Sequence, residues 1–125
     1  MKVLLDTQVL LWWLADSPEL GKEARVAIRQ GDNTVFVSAA SAWEMEIKRA
    51  LGKLRSPDNL DKTLSSERFL ELPVRIVHTT ALRQLPPLHR DPFDRLLVAQ
   101  AKIERLSVIT SDPIFARYGI PVIST

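Results

Sequence analysis

Four acidic residues stand where an α/β protein would place its chemistry. Asp6 directly follows the apolar run Lys2-Val3-Leu4-Leu5, and Asp112 follows Val108-Ile109-Thr110. Glu44 falls in the first two turns of the segment after Val35-Phe36-Val37, and Asp94 in the first turn of the segment that precedes the Val108 run. If those runs are parallel strands, all four acids gather beyond the carboxyl edge of the sheet, where such sheets bind ligands. Four carboxylates at one edge cannot stay ionised together without a cation. Each pair of unit charges at about 4 Å costs roughly 4 kcal/mol at an effective dielectric near 20. Oxygen ligands, with no thiolate and only two histidines in the chain, select a hard cation such as Mg²⁺ or Mn²⁺. Such a site serves phosphodiester hydrolysis: the cation activates water and offsets charge on the phosphorus centre and on the leaving oxygen.

Each acid also has a plainer explanation. Ala40, Trp43, Ile47, Leu51 and Leu54 form an i+3/i+4 apolar stripe, and Glu44 falls inside it. A carboxylate on an inward stripe must be paired, protonated or bound to metal. The alternative is a marginal position with an i+4 pair to Lys48. Glu46 shares a face with Arg49 and Lys53 and reads as solvated. Asp91 as N-cap, Pro92 at N1 and Asp94 at N3 make an ordinary helix start. That explains Asp91 fully and Asp94 less well, because Leu97, Val98 and Ala101 put Asp94 at the head of a buried stripe. Asp112-Pro113 fits a turn. Asp6 resists a purely structural reading.

The elements that must position these acids alternate. Lys2–Leu5 is too short for a helix and reads as a buried strand. Thr7 is read as the cap of a helix reaching Trp13 or Leu14. Ser17-Pro18 is expected to open a second helix, with Leu20, Ala24, Ala27 and Ile28 inward and Gly31 ending it. Val35–Val37 is a second strand, and Ser38 caps a helix that ends near Gly52. A short helix from Pro57 to about Ser66 follows, then an edge strand from Phe69 to Leu72 limited by Pro73. Thr80 to Leu85 reads as helical up to Pro86-Pro87, and Asp91-Pro92 opens a long helix to Leu106. Ser107–Thr110 and Pro121–Ser124 complete the strands. The alternation predicts a three-layer α/β/α sandwich around a small, mostly parallel sheet.

Composition bounds the rest. The 125 residues suit one domain, 1–125, and 46% hydrophobic content supplies a core. A formal net charge of +2 excludes a polybasic nucleic-acid coat, while a pI near 9.2 permits an anionic partner. The absence of cysteine removes disulfide scaffolds, zinc–thiolate sites and thiol nucleophiles. Asp6 and Gln8 interrupt the N-terminal apolar run after Val3-Leu4-Leu5, so neither a secretory segment nor a membrane span is read. The expected location is the cytosol.

The segments carrying the acids resemble a known family. Leu4-Leu5-Asp6-Thr7, then Ser38-Ala39-Ala40-Ser41-Ala42-Trp43-Glu44, then His89-Arg90-Asp91-Pro92-Phe93-Asp94-Arg95-Leu96-Leu97-Val98-Ala99-Gln100-Ala101, then Thr110-Ser111-Asp112 are similar to the PIN domain, and most of all to VapC-type toxins of bacterial toxin–antitoxin operons. The resemblance spans the chain, with segments in family order and spacing. It implies a small parallel sheet between helices and an acidic quartet of Asp6, Glu44, Asp94 and Asp112. It further implies Mg²⁺- or Mn²⁺-dependent endoribonuclease activity, an antitoxin partner that blocks the site, and a homodimer. Asp91 belongs to a DPFDR-like pattern, with capping as its first role and metal contact as its second. Thr7 and Ser111 are candidates to hold the carboxylates by hydroxyl hydrogen bonds.

Other conspicuous residues carry two readings each. His78 and His89 could form an imidazole acid–base pair, but two histidines without a third partner read as structural. Trp12, Trp13 and Trp43 could stack on bases, although their helical spacing favours packing in the core or at a subunit contact. Arg90 and Arg95 could hold phosphates or pair with the neighbouring acids. Lys48, Arg49, Lys53 and Arg55 could follow an RNA backbone or form a solvated face. Two other classes compete. A phosphoacceptor receiver domain needs paired acids after its first strand and a late lysine, and here Asp6 stands alone. A non-catalytic RNA- or protein-binding module on a decayed nuclease fold would not need all four acids.

Overall fold

The apolar runs become strands in the computed structural model, which describes residues 1–125. They are β1 (Lys2–Leu5), β2 (Thr34–Ser38), β3 (Leu70–Leu72), β4 (Ser107–Thr110) and β5 (Val122–Ser124). All pairings are parallel, in the order β3-β2-β1-β4-β5, with Leu4 opposite both Phe36 and Val108. The helices are α1 (Thr7–Leu14), α2 (Lys22–Arg29), α3 (Ala39–Ala50), α4 (Leu60–Ser66), α5 (Ile76–Ala81) and α6 (Pro92–Glu104). Short 3₁₀ turns follow at Leu82–Gln84 and Phe115–Tyr118.

Strand alternation sends side chains to two separate cores. Val3, Leu5, Val35, Val37 and Ile109 pack with Val9, Leu10, Ala24, Ile28, Met45 and Leu64 from α1 to α4. Leu4 and Val108 pack on the other face with Leu97, Val98 and Ala101 of α6, and with Phe115 and Tyr118. The three-layer α/β/α sandwich follows directly. Strand order also locates the site. From β1 the chain builds outward through β2 and β3, then crosses to β4 on the opposite side of β1. That reversal opens a crevice at the carboxyl ends of β1 and β4. A receiver domain's order, 2-1-3-4-5, is a different winding.

Several local expectations are corrected. The cap of α1 is Asp6, whose Oδ1 accepts from Val9 N at 2.8 Å, and Thr7 is the first helical residue. Ser17 Oγ accepts from Glu19 N, so Ser17-Pro18 forms a turn and α2 begins only at Lys22 after Gly21. Asn59 caps α4, which starts at Leu60 rather than at Pro57. The helix expected from Thr80 starts earlier, at Ile76, and passes into a 3₁₀ turn. Past Ala40 the apolar stripe of α3 turns outward: Trp43 and the C-cap Leu51 are each 63% exposed, and the buried positions are Ala40, Ser41, Glu44 and Met45. The inward face of α3 is partly polar because it faces the crevice.

Two buried polar residues tie the acid-bearing helices together. Ser38 Oγ accepts from Ala40 N to cap α3 and donates to Gln100 Oε1 of α6 at 2.6 Å. Gln100 Nε2 in turn donates to the Pro73 carbonyl at 3.2 Å.

Candidate metal centre

Asp6 leaves β1 straight into the crevice and is only 5% exposed. Its Oδ1 caps α1, and its Oδ2 accepts from the hydroxyl of Thr110, the last residue of β4. The same Thr110 hydroxyl accepts from Asp112 N at 3.0 Å, so one side chain links two of the acids. Burial pushes the Asp6 carboxyl above the usual carboxylate range, against the hydrogen bonds from Thr110 and Val9, and the Asp112 and Glu44 charges add to the rise.

Glu44 reaches the crevice from α3 and is buried. Thr7 Oγ1 donates to Glu44 Oε1 at 2.8 Å and shares a 2.9 Å hydrogen bond with Ser41 Oγ. Lys48 Nζ donates to Glu44 Oε2 at 2.7 Å, the i+4 pair anticipated as the alternative. That bond holds the Lys48 ammonium above its ordinary range.

Asp91 and Asp94 come from the start of α6. Asp91 Oδ1 accepts from Phe93 N and Asp94 N at 2.8 and 3.2 Å, a capping role. Asp91 also lines the crevice. Asp94 is pushed up to about 7, first by burial and then by the Asp91 charge, with Asp6 and Glu44 adding to the rise and His89 opposing it. Asp112 follows β4, and its Oδ1 accepts from Ile114 N at 2.9 Å. Asp6, Glu44, Asp91, Asp94 and Asp112 thus line one cleft of about 200 Å³, together with Thr7, Gln8, Leu11, Lys48 and Ser111.

Five acids face a single ammonium here, and the charges of Asp91, Asp6 and Glu44 add to the burial that raises Asp94. A divalent cation would relieve that repulsion. His89, Asp94 and Asp112 each bring a possible ligand atom to within 4.8 Å of the others, and the carboxylates of Asp6, Glu44 and Asp91 line the same cleft, a mainly oxygen, hard set that suits Mg²⁺ or Mn²⁺.

Some residues take unexpected places. Ser111 is exposed on the rim and hydrogen-bonds none of the acids; Thr110, one residue earlier, makes the carboxylate contact. His89, read as structural, has Nε2 at 2.8 Å from Asp112 Oδ2 and 3.1 Å from Asp94 Oδ2. Its position two residues before the capping Asp91 was the available signal. His78 is wholly buried and pairs with Glu104 at 2.8 Å, away from the cleft. Arg95 reaches neither phosphate space nor the acids, because its guanidinium donates to Pro86 O at 2.9 Å and to Tyr118 Oη at 3.3 Å. Trp13 packs near Phe69, with centroids 6.2 Å apart, whereas Trp43 stands exposed against Phe93 at 5.2 Å.

Comparison with known proteins gives a family and a set of similar folds. The PIN domain sequence profile matches residues 3–121. Solved structures of similar fold include VapBC2 from Rickettsia felis bound to a promoter DNA fragment, with TM-score 0.75 and 18% identity over 99% of this chain and 98% of that one. DNA-bound VapBC from Salmonella typhimurium gives TM-score 0.69 and 17% identity, covering 99% and 98% of the two chains. A toxin–antitoxin complex from Klebsiella pneumoniae gives 0.64 and 21%, covering 98% and 96%. No curated protein matches in sequence. With the profile covering nearly the whole chain, and the sheet order and acidic crevice in agreement, this protein belongs to the PIN domain family.

Proposed function

We propose that this protein is a metal-dependent endoribonuclease acting as the toxin of a toxin–antitoxin pair. The observation that carries the reading is the convergence of Asp6, Glu44, Asp91, Asp94 and Asp112 on one cleft at the sheet's switch point. Asp6, Glu44, Asp94 and Asp112 would hold the cation, with Asp91 at its margin. When bound, Mg²⁺ or Mn²⁺ supplies an activated water and offsets charge on the phosphate and the leaving oxygen.

The chain's own groups do the positioning. Thr110 and the start of α1 fix both oxygens of Asp6, and Thr7 with Lys48 fixes both oxygens of Glu44. Lys48 is half-exposed at the cleft wall and offers its ammonium to an incoming phosphate. Attack by water in line with the 3′ oxygen leaves 5′-phosphate and 3′-hydroxyl ends. Attack by the substrate's own 2′-hydroxyl would leave a cyclic phosphate instead.

The protein partners in this reading are a cognate antitoxin and a second copy of the chain. The toxin–antitoxin complex from Klebsiella pneumoniae and the two DNA-bound VapBC structures of similar fold support the first. Exposed apolar side chains, Trp43 on α3, Leu51 at its C-cap, and Ile76 and Val77 on α5, supply surface for such contacts. No helix is long and apolar enough to cross a membrane, and the cytoplasm is the compartment this reading requires, because a toxin of this kind would meet its RNA there.

Sequencing of RNA ends after expression without the antitoxin tests the reading. Discrete new 5′-phosphate ends that vanish with a chelator and return with Mn²⁺ are expected. Cleavage that persists in EDTA, or cyclic phosphate products, would overturn it.

A further inference from the structure

We infer that His89 is a positioning residue that orients Asp94 and Asp112 by donating from Nε2, and that it is not itself a ligand of the cation. The inference rests on the metal-centre reading and adds a role for a residue outside the acidic set.

The two ring nitrogens have opposite, fixed duties. Nδ1 accepts from Asp91 N at 3.1 Å, so its lone pair is engaged and the ring proton sits on Nε2. Nε2 lies 2.8 Å from Asp112 Oδ2 and 3.1 Å from Asp94 Oδ2. Both neighbours are acceptors, and one N–H is shared between them. To coordinate a cation, Nε2 would have to give up that proton to Nδ1. There it would meet the Asp91 N–H head-on, donor against donor.

The alternative is blocked because neither partner is free to turn. Asp91 is held by its own cap, with Oδ1 accepting from Phe93 N and Asp94 N. The imidazole is 14% exposed and meets Phe115 edge-on, with centroids 6.1 Å apart at 79°. His89 N donates to Tyr118 Oη at 2.8 Å, an oxygen that Arg95 Nη1 also approaches at 3.3 Å. A half-turn of the ring would replace both nitrogens by carbons and lose all three contacts at once.

The consequence falls on the acids. Asp112 is fixed at both oxygens, by Ile114 N on one and His89 on the other. Asp94 has its facing oxygen drawn toward the same donor. Two carboxylates that repel each other are thereby held at a common spacing before any cation arrives. Removing such a supporting donor typically costs 10–100-fold in metal affinity.

Mn²⁺ alone serves as the probe, on the full chain. Pulsed EPR of the Mn²⁺-loaded parent protein is expected to show no directly coordinated nitrogen. By calorimetric titration, His89→Ala is expected to weaken Mn²⁺ binding 10–100-fold. His89→Gln, whose amide N–H can reach the Nε2 position, should restore binding to within a few-fold of the parent. A coordinated imidazole signal, or parent-like binding by His89→Ala, would overturn the inference and leave the metal centre standing. A folded His89→Gln as weak as His89→Ala would do the same. A parent that binds no Mn²⁺ would overturn the metal centre and this inference with it.

Discussion

The two histidines use the same hydrogen-bond device in different surroundings. In each, Nδ1 accepts a backbone N–H, from Arg75 for His78 and from Asp91 for His89, and Nε2 meets a carboxylate. His78 is fully buried on α5 and has one carboxylate partner, Glu104 of α6. Its contacts join α5 to α6 and close the account of its polar atoms. His89 lies at the carboxyl edge of the sheet, partly exposed, between two acids that sit among three more. The local bonding is alike, but the surplus of negative charge is not. A histidine becomes interesting through what its carboxylate partners are already doing, which a residue count cannot reveal.

The difference is sharpest when each site is broken at its centre. Asp6→Asn keeps an oxygen for Val9 N and a polar partner for Thr110, so the fold should persist. RNA cleavage should fall at least about 100-fold, the order expected when a preorganised electrostatic group is lost. His78→Ala should do the reverse. It leaves Glu104 and the Arg75 N–H without their partner and opens a cavity, for a loss of about 3 kcal/mol in stability. Activity per folded molecule should be unchanged. Denaturant melts and a cleavage assay on both variants make the check, and a structural loss in Asp6→Asn would erase the contrast.

How much of this could be read from the residues depends on which force decided each element. β1, β2, β4 and β5 were legible because both faces of a parallel sheet are buried, and short continuous apolar runs have no other use. The gathering of the acids at one edge was legible because Asp6 and Asp112 follow strands, Glu44 lies early in the helix after another, and Asp94 opens the helix that leads back to the sheet. The inward face of α3 was not. Hydrophobic periodicity selects Trp43, Ile47 and Leu51, but the crevice requires Ser41 and Glu44 to turn inward, so a functional site overrides the local rule. The stripe that places Glu44 inward turns outward at Trp43 and Leu51, and the burial of Glu44 comes from the crevice instead. Thr110 and His89 were missed because their roles depend on cross-chain neighbours, Asp6 at a separation of 104 residues and Asp112 at 23. The false start of α2 at Ser17-Pro18 came from a cap signal that Ser17 spends on a turn.

The charge surplus can also be titrated directly. A cation that binds only the folded site stabilises it by RT ln(1 + [L]/Kd), about 2.7 kcal/mol at 100 times Kd. Thermal melts across a Mn²⁺ titration should show a rise of several degrees in the parent. Asp94→Asn should show a smaller one, and an undiminished rise would reduce Asp94 to a helix-start residue. Without the cation, protons take over part of that role. Because the folded-state pKa of Asp94 is raised to about 7 from 3.8, the folded form holds its proton more tightly than the unfolded chain. Its contribution to stability is therefore fully present below about pH 4 and is lost as pH rises toward 7, by at most about 1.4 kcal/mol per unit. Comparing urea midpoints of the parent and Asp94→Asn from pH 4 to pH 7.5 in EDTA isolates this slope. A parent that gains stability relative to the variant over that range would refute it.

The smallest effect tests whether placement, rather than acidity, makes the contrast. Glu44 and Glu46 stand two residues apart on α3, so they point about 160° apart around the helix axis. Glu44 is buried, bonded to Thr7 and Lys48, and lines the cleft. Glu46 is exposed on the opposite side, where a carboxylate and an amide are solvated almost equally well. Glu46→Gln should change stability by no more than about 0.5 kcal/mol and leave both cleavage and Mn²⁺ affinity at the parent level. The reason is distance and screening: an exposed charge beyond roughly 8–10 Å is largely masked at physiological ionic strength. Glu44→Gln, measured beside it, should lose Mn²⁺ affinity while keeping an acceptor for Thr7. Equal losses from the two variants would mean that long-range charge on α3, not the built cleft, governs the cation, and the distinction between the two histidines would lose its basis.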